Sequence, residues 1–134
     1  MTLNKKIEII ERDLIVDERG YFLKIINGKE SELPNYTGEI YVTNAIPGES
    51  RGGHYHLEAI EWFTIIEGEA FLLLEDIKTK ESIELILDCK KPVTVKVPTN
   101  VAHLFKNNSN ENFILLAYTN KLYCPSDTIP YSFN

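Results

Sequence analysis

The sequence predicts an all-β sandwich or barrel, and three observations predict it. Short runs rich in Val, Ile, Phe, Tyr and Thr recur from end to end. Gly, Pro and Asn punctuate them at short intervals. No segment holds a helical apolar period long enough for a helix of ordinary length. With 134 residues the chain is expected to form one domain over residues 1–134, large enough to bury a core without covalent staples.

Lys6–Glu11 alternates charged and apolar residues and reads as the first strand, ahead of the turn Asp17-Glu-Arg-Gly20. Tyr21–Ile26 follows and ends at Asn27-Gly28. Glu39–Ile46 carries β-branched and aromatic residues up to Pro47-Gly48, where proline and glycine favour a turn. Ile60–Ile66 turns through Glu67-Gly68 into Ala70–Glu75. Ile83–Leu87, Val93–Val97, Ala102–Lys106 and Phe113–Thr119 complete the series, with Asn107-Asn-Ser-Asn110 as the clearest late turn. Ser82–Leu87 has room for one helical turn at most. Trp62 and Phe63 read as core residues, and Glu58, Glu67 and Glu69 as solvated ones.

Composition narrows the function. Hydrophobic residues make up 43% of the chain and charged residues 25%, the balance of an ordinary globular domain. The apolar runs, such as Ala70-Phe-Leu-Leu-Leu74, are strand-sized and too short to span a bilayer. Charge near the start, in Asn4-Lys-Lys-Ile-Glu8, falls where a signal peptide needs an apolar core, so a cytoplasmic protein is expected. A net charge of −6, with no basic cluster beyond Lys90-Lys91, argues against nucleic acid as a partner. It leaves room for a single pyrophosphate, which one or two arginines can hold. Cys89 and Cys124 lack CxxC spacing and are expected to be thiols in a reducing compartment.

The most informative stretch is Gly48-Glu-Ser-Arg-Gly-Gly-His54-Tyr-His56-Leu-Glu-Ala-Ile-Glu61, closed by Gly68. The chain has 3 histidines, and His103 is the third. In a strand, residues two apart face the same side at about 7 Å, so His54 and His56 can converge on one point. Glu61 breaks that parity, which requires a turn between two strands, and Leu57–Ala59 gives room for it. His103 follows Pro98-Thr-Asn100, whose asparagine tolerates the left-handed conformation of a tight turn. Imidazole nitrogen and carboxylate oxygen suit borderline divalent metals, zinc foremost, and the same groups can move protons near neutral pH. His54, His56, Glu61 and His103 are the candidate metal ligands. Arg51, beside them, is a candidate contact for substrate oxygens, because guanidinium grips oxyanions with paired donors.

These residues resemble a known superfamily. Gly48, His54-x-His56, Glu61 and Gly68 keep every spacing of the first cupin motif. Pro98-x-Asn100-x-x-His103-x-x-x-Asn107 is similar to the second, with Asn100 in place of the usual glycine and Pro92 where its leading glycine would stand. The resemblance implies a double-stranded β-helix, or jelly roll. Asp17-Glu-Arg-Gly-Tyr-Phe22, Ser50-Arg-Gly-Gly-His-Tyr55, Val97-Pro-x-x-Val-Ala-His103 and Ala117-Tyr118 resemble, in order, segments of dTDP-4-dehydrorhamnose 3,5-epimerases. His-Tyr-His with Glu61, and Tyr123-Cys-Pro-Ser-Asp-Thr128, look more like the C-terminal cupin domain of capsular-polysaccharide reductase/epimerases. Sugar-nucleotide 3,4-ketoisomerases share the Arg-Gly-x-His-x-His core.

The resemblance spans residues 15 to 130. It implies an isomerase that epimerises or ketoisomerises a nucleotide-linked 4-keto-6-deoxy sugar for surface-polysaccharide biosynthesis. It makes His54 the base and Tyr118 the acid, with Phe22, Lys24, Tyr123 and Asn107 as further substrate contacts. No organic cofactor is needed, since the substrate's ketone takes up the electron pair. A homodimer is expected, because edge strands of such barrels are usually covered by a partner copy. Two other classes fit the same residues: a non-catalytic cupin that binds a sugar or nucleotide sugar, and a metal-dependent cupin oxygenase.

Overall fold

A computed structural model describes residues 2–6 and 8–133. A short helix, α1 (Leu3–Lys6), precedes eleven strands: β1 (Leu14–Asp17), β2 (Gly20–Ile26), β3 (Glu39–Ala45), β4 (Ser50–Tyr55), β5 (Glu61–Glu67), β6 (Glu69–Asp76), β7 (Ser82–Asp88), β8 (Thr94–Val97), β9 (Val101–Lys106), β10 (Phe113–Thr119) and β11 (Ile129–Pro130). A 3₁₀ turn, Pro125–Asp127, precedes β11. All pairings are antiparallel. One sheet runs β1-β2-β3-β10-β5-β8 and the other β11-β4-β9-β6-β7. This is the all-β jelly roll that the sequence predicts.

Alternation builds the core. Along β10, Phe113, Leu115, Ala117 and Thr119 are buried while Ile114, Leu116 and Tyr118 turn outward. Phe63 and Ile65 from β5, Ala70 and Leu72 from β6, and Phe105 from β9 meet them between the sheets. Phe63 and Phe105 pack edge to face, their centroids 4.9 Å apart. Among the described residues, no helix is long and apolar enough to cross a membrane.

Several sequence expectations are corrected. Lys6–Glu11 is not a strand: α1 ends at Lys6, residues 8–13 have no regular structure, and Ile7 lies outside the described residues. An alternating pattern makes a strand only where one face meets a core, and Ile9 and Ile10 are exposed here. The chain instead enters the sheet at Leu14–Asp17, where β1 pairs with β2 in register. Ser82–Asp88 is strand throughout, so no helical turn forms there. Phe63 is core, but Trp62 faces outward and lies against Tyr118. Asn100 does adopt a φ of 64° in the turn before β9, as its residue type predicts.

Candidate functional site

Three strands deliver the polar cluster. His54 sits near the end of β4 and pairs across the ladder with His103 on β9. His56 lies just beyond β4, and Glu61 opens β5 after the intervening turn. Between Gly52 and His54 the ladder shifts register. Gly52 has φ of 92°, and a Cβ there would lie 2.8 Å from the His103 carbonyl. Glycine therefore permits both the backbone turn and the close approach of β4 to β9.

The side-chain geometry is compact. The His54 ring lies 4.8 Å from that of His103 and 5.1 Å from that of His56, centroid to centroid. One potential ligand atom from each of His54, His56, Glu61 and His103 lies within 4.8 Å of all the others. Glu61 Oε1 is 2.6 Å from His56 Nε2 and 3.6 Å from His103 Nε2. Glu61 Oε2 accepts a hydrogen bond from the Tyr41 hydroxyl at 2.8 Å. Close as they are, His56 Nε2 and Glu61 Oε1 do not meet at a hydrogen-bonding angle, and both are buried without a hydrogen-bond partner. Two orphaned buried atoms aimed at one point, with two further imidazoles around it, fit a divalent cation.

Electrostatics distinguishes the rings. Burial holds His103 down to about 4, so its imidazole is neutral at pH 7. Burial, reinforced by a charge on His56, also lowers His54. Burial works against protonating His56 as well, but the Glu61 carboxylate and Asp127 outweigh it and raise its pKa. Glu61 is pushed up by burial, yet the surrounding histidines and the Tyr41 hydroxyl bring it below its ordinary value. Tyr41 moves well above the usual phenol range, through burial and then the Glu61 charge. The cluster thus contains a carboxylate, two imidazoles that burial disfavours as cations, and one, His56, whose protonated form the Glu61 and Asp127 oxygens favour.

The cluster lies in a cavity of about 350 Å³. Phe22, Lys24, Arg51 and Tyr123 border it, as the sequence reading expects of substrate contacts. Lys24 pairs with Glu39 at 2.5 Å and lies 5.8 Å from the centre of the Tyr123 ring. Arg51 is largely committed to the protein. Its Nε donates to the Asn44 carbonyl at 2.7 Å, and its other nitrogens donate to Asp17 and the Tyr21 carbonyl. It braces β4 against β3 and the β1–β2 turn, leaving little of its fork for a substrate.

Two expectations are corrected. Tyr118 does not border the cavity; β10 alternation turns it to the opposite face, where its ring lies 5.6 Å from that of Trp62. Asn107 is fully buried outside the cavity. Its Nδ2 donates to the Ala45 and Glu111 carbonyls at 2.9 and 2.7 Å, and its Oδ1 accepts from Ser109. It holds the turn after β9.

Sequence reasoning missed Glu39, Tyr41, Asp127 and Arg19. Glu39, Tyr41 and Thr43 all border the cavity, two apart on β3, so strand period was the signal available. Arg19 also borders it from the β1–β2 turn.

The chain is similar to known proteins. The profile of the polysaccharide biosynthesis C-terminal domain family matches residues 15–130. A UDP-2-acetamido-2,6-beta-L-arabino-hexul-4-ose reductase of Pseudomonas aeruginosa is 26% identical over 107 residues, which are 80% of this chain and 27% of that enzyme. The capsular polysaccharide assembling protein CapF of Staphylococcus aureus superposes with a TM-score of 0.82 at 22% identity, covering 93% of this chain and 34% of CapF. The dTDP-6-deoxy-D-glucose-3,5-epimerase RmlC of Legionella pneumophila, solved with dTDP-4-keto-L-rhamnose, gives a TM-score of 0.62 at 21% identity over 90% of this chain and 69% of RmlC. At such identities the two structures show a shared fold. The chain spans about a quarter of the reductase and a third of CapF. With its profile match over nearly all the strands, this chain belongs to the polysaccharide biosynthesis C-terminal domain family.

Proposed function

We propose that this chain is a cytoplasmic epimerase or ketoisomerase of a nucleotide-linked 4-keto-6-deoxy sugar in surface-polysaccharide biosynthesis. The observation that carries the reading is the buried three-histidine, one-carboxylate cluster inside a cavity that also presents a tyrosine and cations. A hydrogen on the carbon beside a ketone is acidic enough for a histidine base once the developing enolate oxygen is stabilised. His54 is the base: its imidazole is neutral at pH 7 and faces the cavity. The C–H electron pair moves into the ketone, so no organic cofactor is required. Tyr123, in the segment after β10, returns a proton to the opposite face of the carbon. Arg19 and Lys121 border the same cavity and have the charge to hold a pyrophosphate.

His54, His56, Glu61 and His103 fit a divalent cation, with zinc favoured by the nitrogen-rich set. Bound there, it would supply Lewis-acid polarisation of the keto oxygen. An imidazole whose lone pair is given to a cation takes no proton, so His54 serves as the base only while it is not a metal ligand. Two measurements test the proposal together. Elemental analysis of gently dialysed protein should find close to one metal per chain. NMR should show solvent deuterium entering a nucleotide-linked 4-keto sugar beside its ketone. Exchange that persists in chelator leaves His54 as the base, and exchange that stops assigns the cluster to the metal. Tight binding of the nucleotide sugar without any exchange would replace the enzyme with a binding module.

A further inference from the structure

We propose that Asp127 is a positioning residue for the cluster, fixing both the tautomer and the aim of His56 from outside it. The inference rests on the proposed function only for its effect on turnover. The segment Tyr123–Thr128 borders the cavity and is tied down at two places. The Tyr123 amide donates to Glu39 Oε1 at 2.6 Å. Four residues on, the Asp127 carboxylate accepts three successive backbone N–H groups: Leu57 and Glu58 on Oδ1, each at 2.9 Å, and Ala59 on Oδ2 at 3.1 Å. Those amides form the turn that carries the chain from His56 to Glu61. Asp127 therefore sets the distance between two members of the cluster, although it lies 71 positions beyond His56 and 68 beyond Ala59.

The backbone of the same residue acts on the ring directly. The Asp127 carbonyl lies 3.0 Å from His56 Nδ1. A carbonyl can only accept, so Nδ1 carries the proton and Nε2 of the neutral ring presents its lone pair. Nε2 is the atom 2.6 Å from Glu61 Oε1. An outer hydrogen bond of this kind sets which imidazole nitrogen faces a metal or a substrate. The clamp continues into the sheet, where Ile129 pairs with Tyr55 and Pro130 with His54. Side chain, carbonyl and strand together hold the last segment against His54 and His56.

The test uses the full chain, Asp127→Ala and Asp127→Asn, stripped with chelator and then titrated with zinc. Long-range nitrogen–proton NMR in alkaline buffer reads the His56 tautomer without substrate. The wild-type ring should carry its proton on Nδ1. Asp127→Ala keeps the carbonyl but removes the carboxylate that anchors it to the 57–59 turn. The carbonyl should drift from Nδ1, the ring become a mixture of tautomers, zinc affinity fall about 10–100-fold, and kcat fall with less change in KM. Asp127→Asn keeps an oxygen for Leu57 and Glu58, so it should lie between the two; it also stands in if the alanine variant does not fold. A wild-type ring protonated on Nε2, or folded variants with wild-type tautomer and zinc affinity, would overturn the proposal. Absence of deuterium exchange in the wild type would remove the epimerase reading and leave this one standing.

Discussion

His54 on β4 and Tyr123 in the segment after β10 border one cavity, and Tyr118 does not. The difference dictates distinct outcomes for three variants. His54→Ala should lose deuterium exchange and product formation by several orders of magnitude where proton transfer limits the rate. Tyr123→Phe should still exchange hydrogen at the original configuration but form little product, because the phenyl ring keeps its shape and loses only the hydroxyl. Tyr118→Phe should turn over like the wild type; a large loss there would show that the outward face of β10 takes part in chemistry. NMR of deuterium content and product ratio reads all three. The cluster was legible in the sequence because His-x-His parity is a local strand property and the motif spacing added Glu61 and His103. The Asp127 clamp on the turn was not, because it comes from far along the chain. Tyr118 was misplaced for the converse reason. Its role was carried over by resemblance, whereas the inward parity of β10 is set by Leu115, Ala117 and Thr119.

The strands from β5 to β10 could be read from their apolar alternation, since each has one face on the core. β1 and β4 could not. All of β1 is exposed, and β4 contains Arg51-Gly-Gly53, which carries almost no β propensity. What makes β4 a strand is its ladder with β9, and Gly52 is where that ladder is under most constraint. A Cβ at Gly52 would meet the His103 carbonyl at 2.8 Å, on a backbone with φ of 92°. Gly48, with φ of 87°, has nothing within 4 Å of the corresponding position. Gly48→Ala should therefore lose only about 1–2 kcal/mol, the intrinsic penalty of the left-handed backbone. Gly52→Ala should lose about 3 kcal/mol or more and also most of its zinc, because relieving the contact displaces His103. Urea midpoints and metal content compare them; equal losses would mean that β4 and β9 have slack the geometry does not show.

At the scale of the whole molecule, the cost of burying the cluster should appear in the acid stability of the metal-free protein. His103 titrates near 4 when folded, because of burial, and near 6.5 when free. Between those values the unfolded chain binds a proton that the folded chain refuses, so stability falls as pH falls. At 1.36 kcal/mol per pH unit, the shift is worth about 3 kcal/mol by pH 4. His54 is lowered too and adds with the same sign. Glu61 is also lowered, so its contribution is present above its ordinary value of 4.5 and is lost on acidification. His56 is raised; its contribution is full below 6.5 and fades as pH rises through its folded pKa, so it tilts the alkaline side the other way. Overall charge works against the acid loss. The chain carries −6 at pH 7 and reaches neutrality near 5.1, so acidification over that range relieves self-repulsion. A urea midpoint that falls from pH 6.5 toward 5.1 must then come from the buried histidines. Below that the surface carboxylates Asp17, Glu30 and Asp76, which are also held low, add to the loss. His103→Asn, whose amide does not titrate there, should flatten the profile. A flat profile in the wild-type protein would mean that His103 takes up its proton inside the fold, and that its surroundings are wetter than the residue's 1% exposure implies.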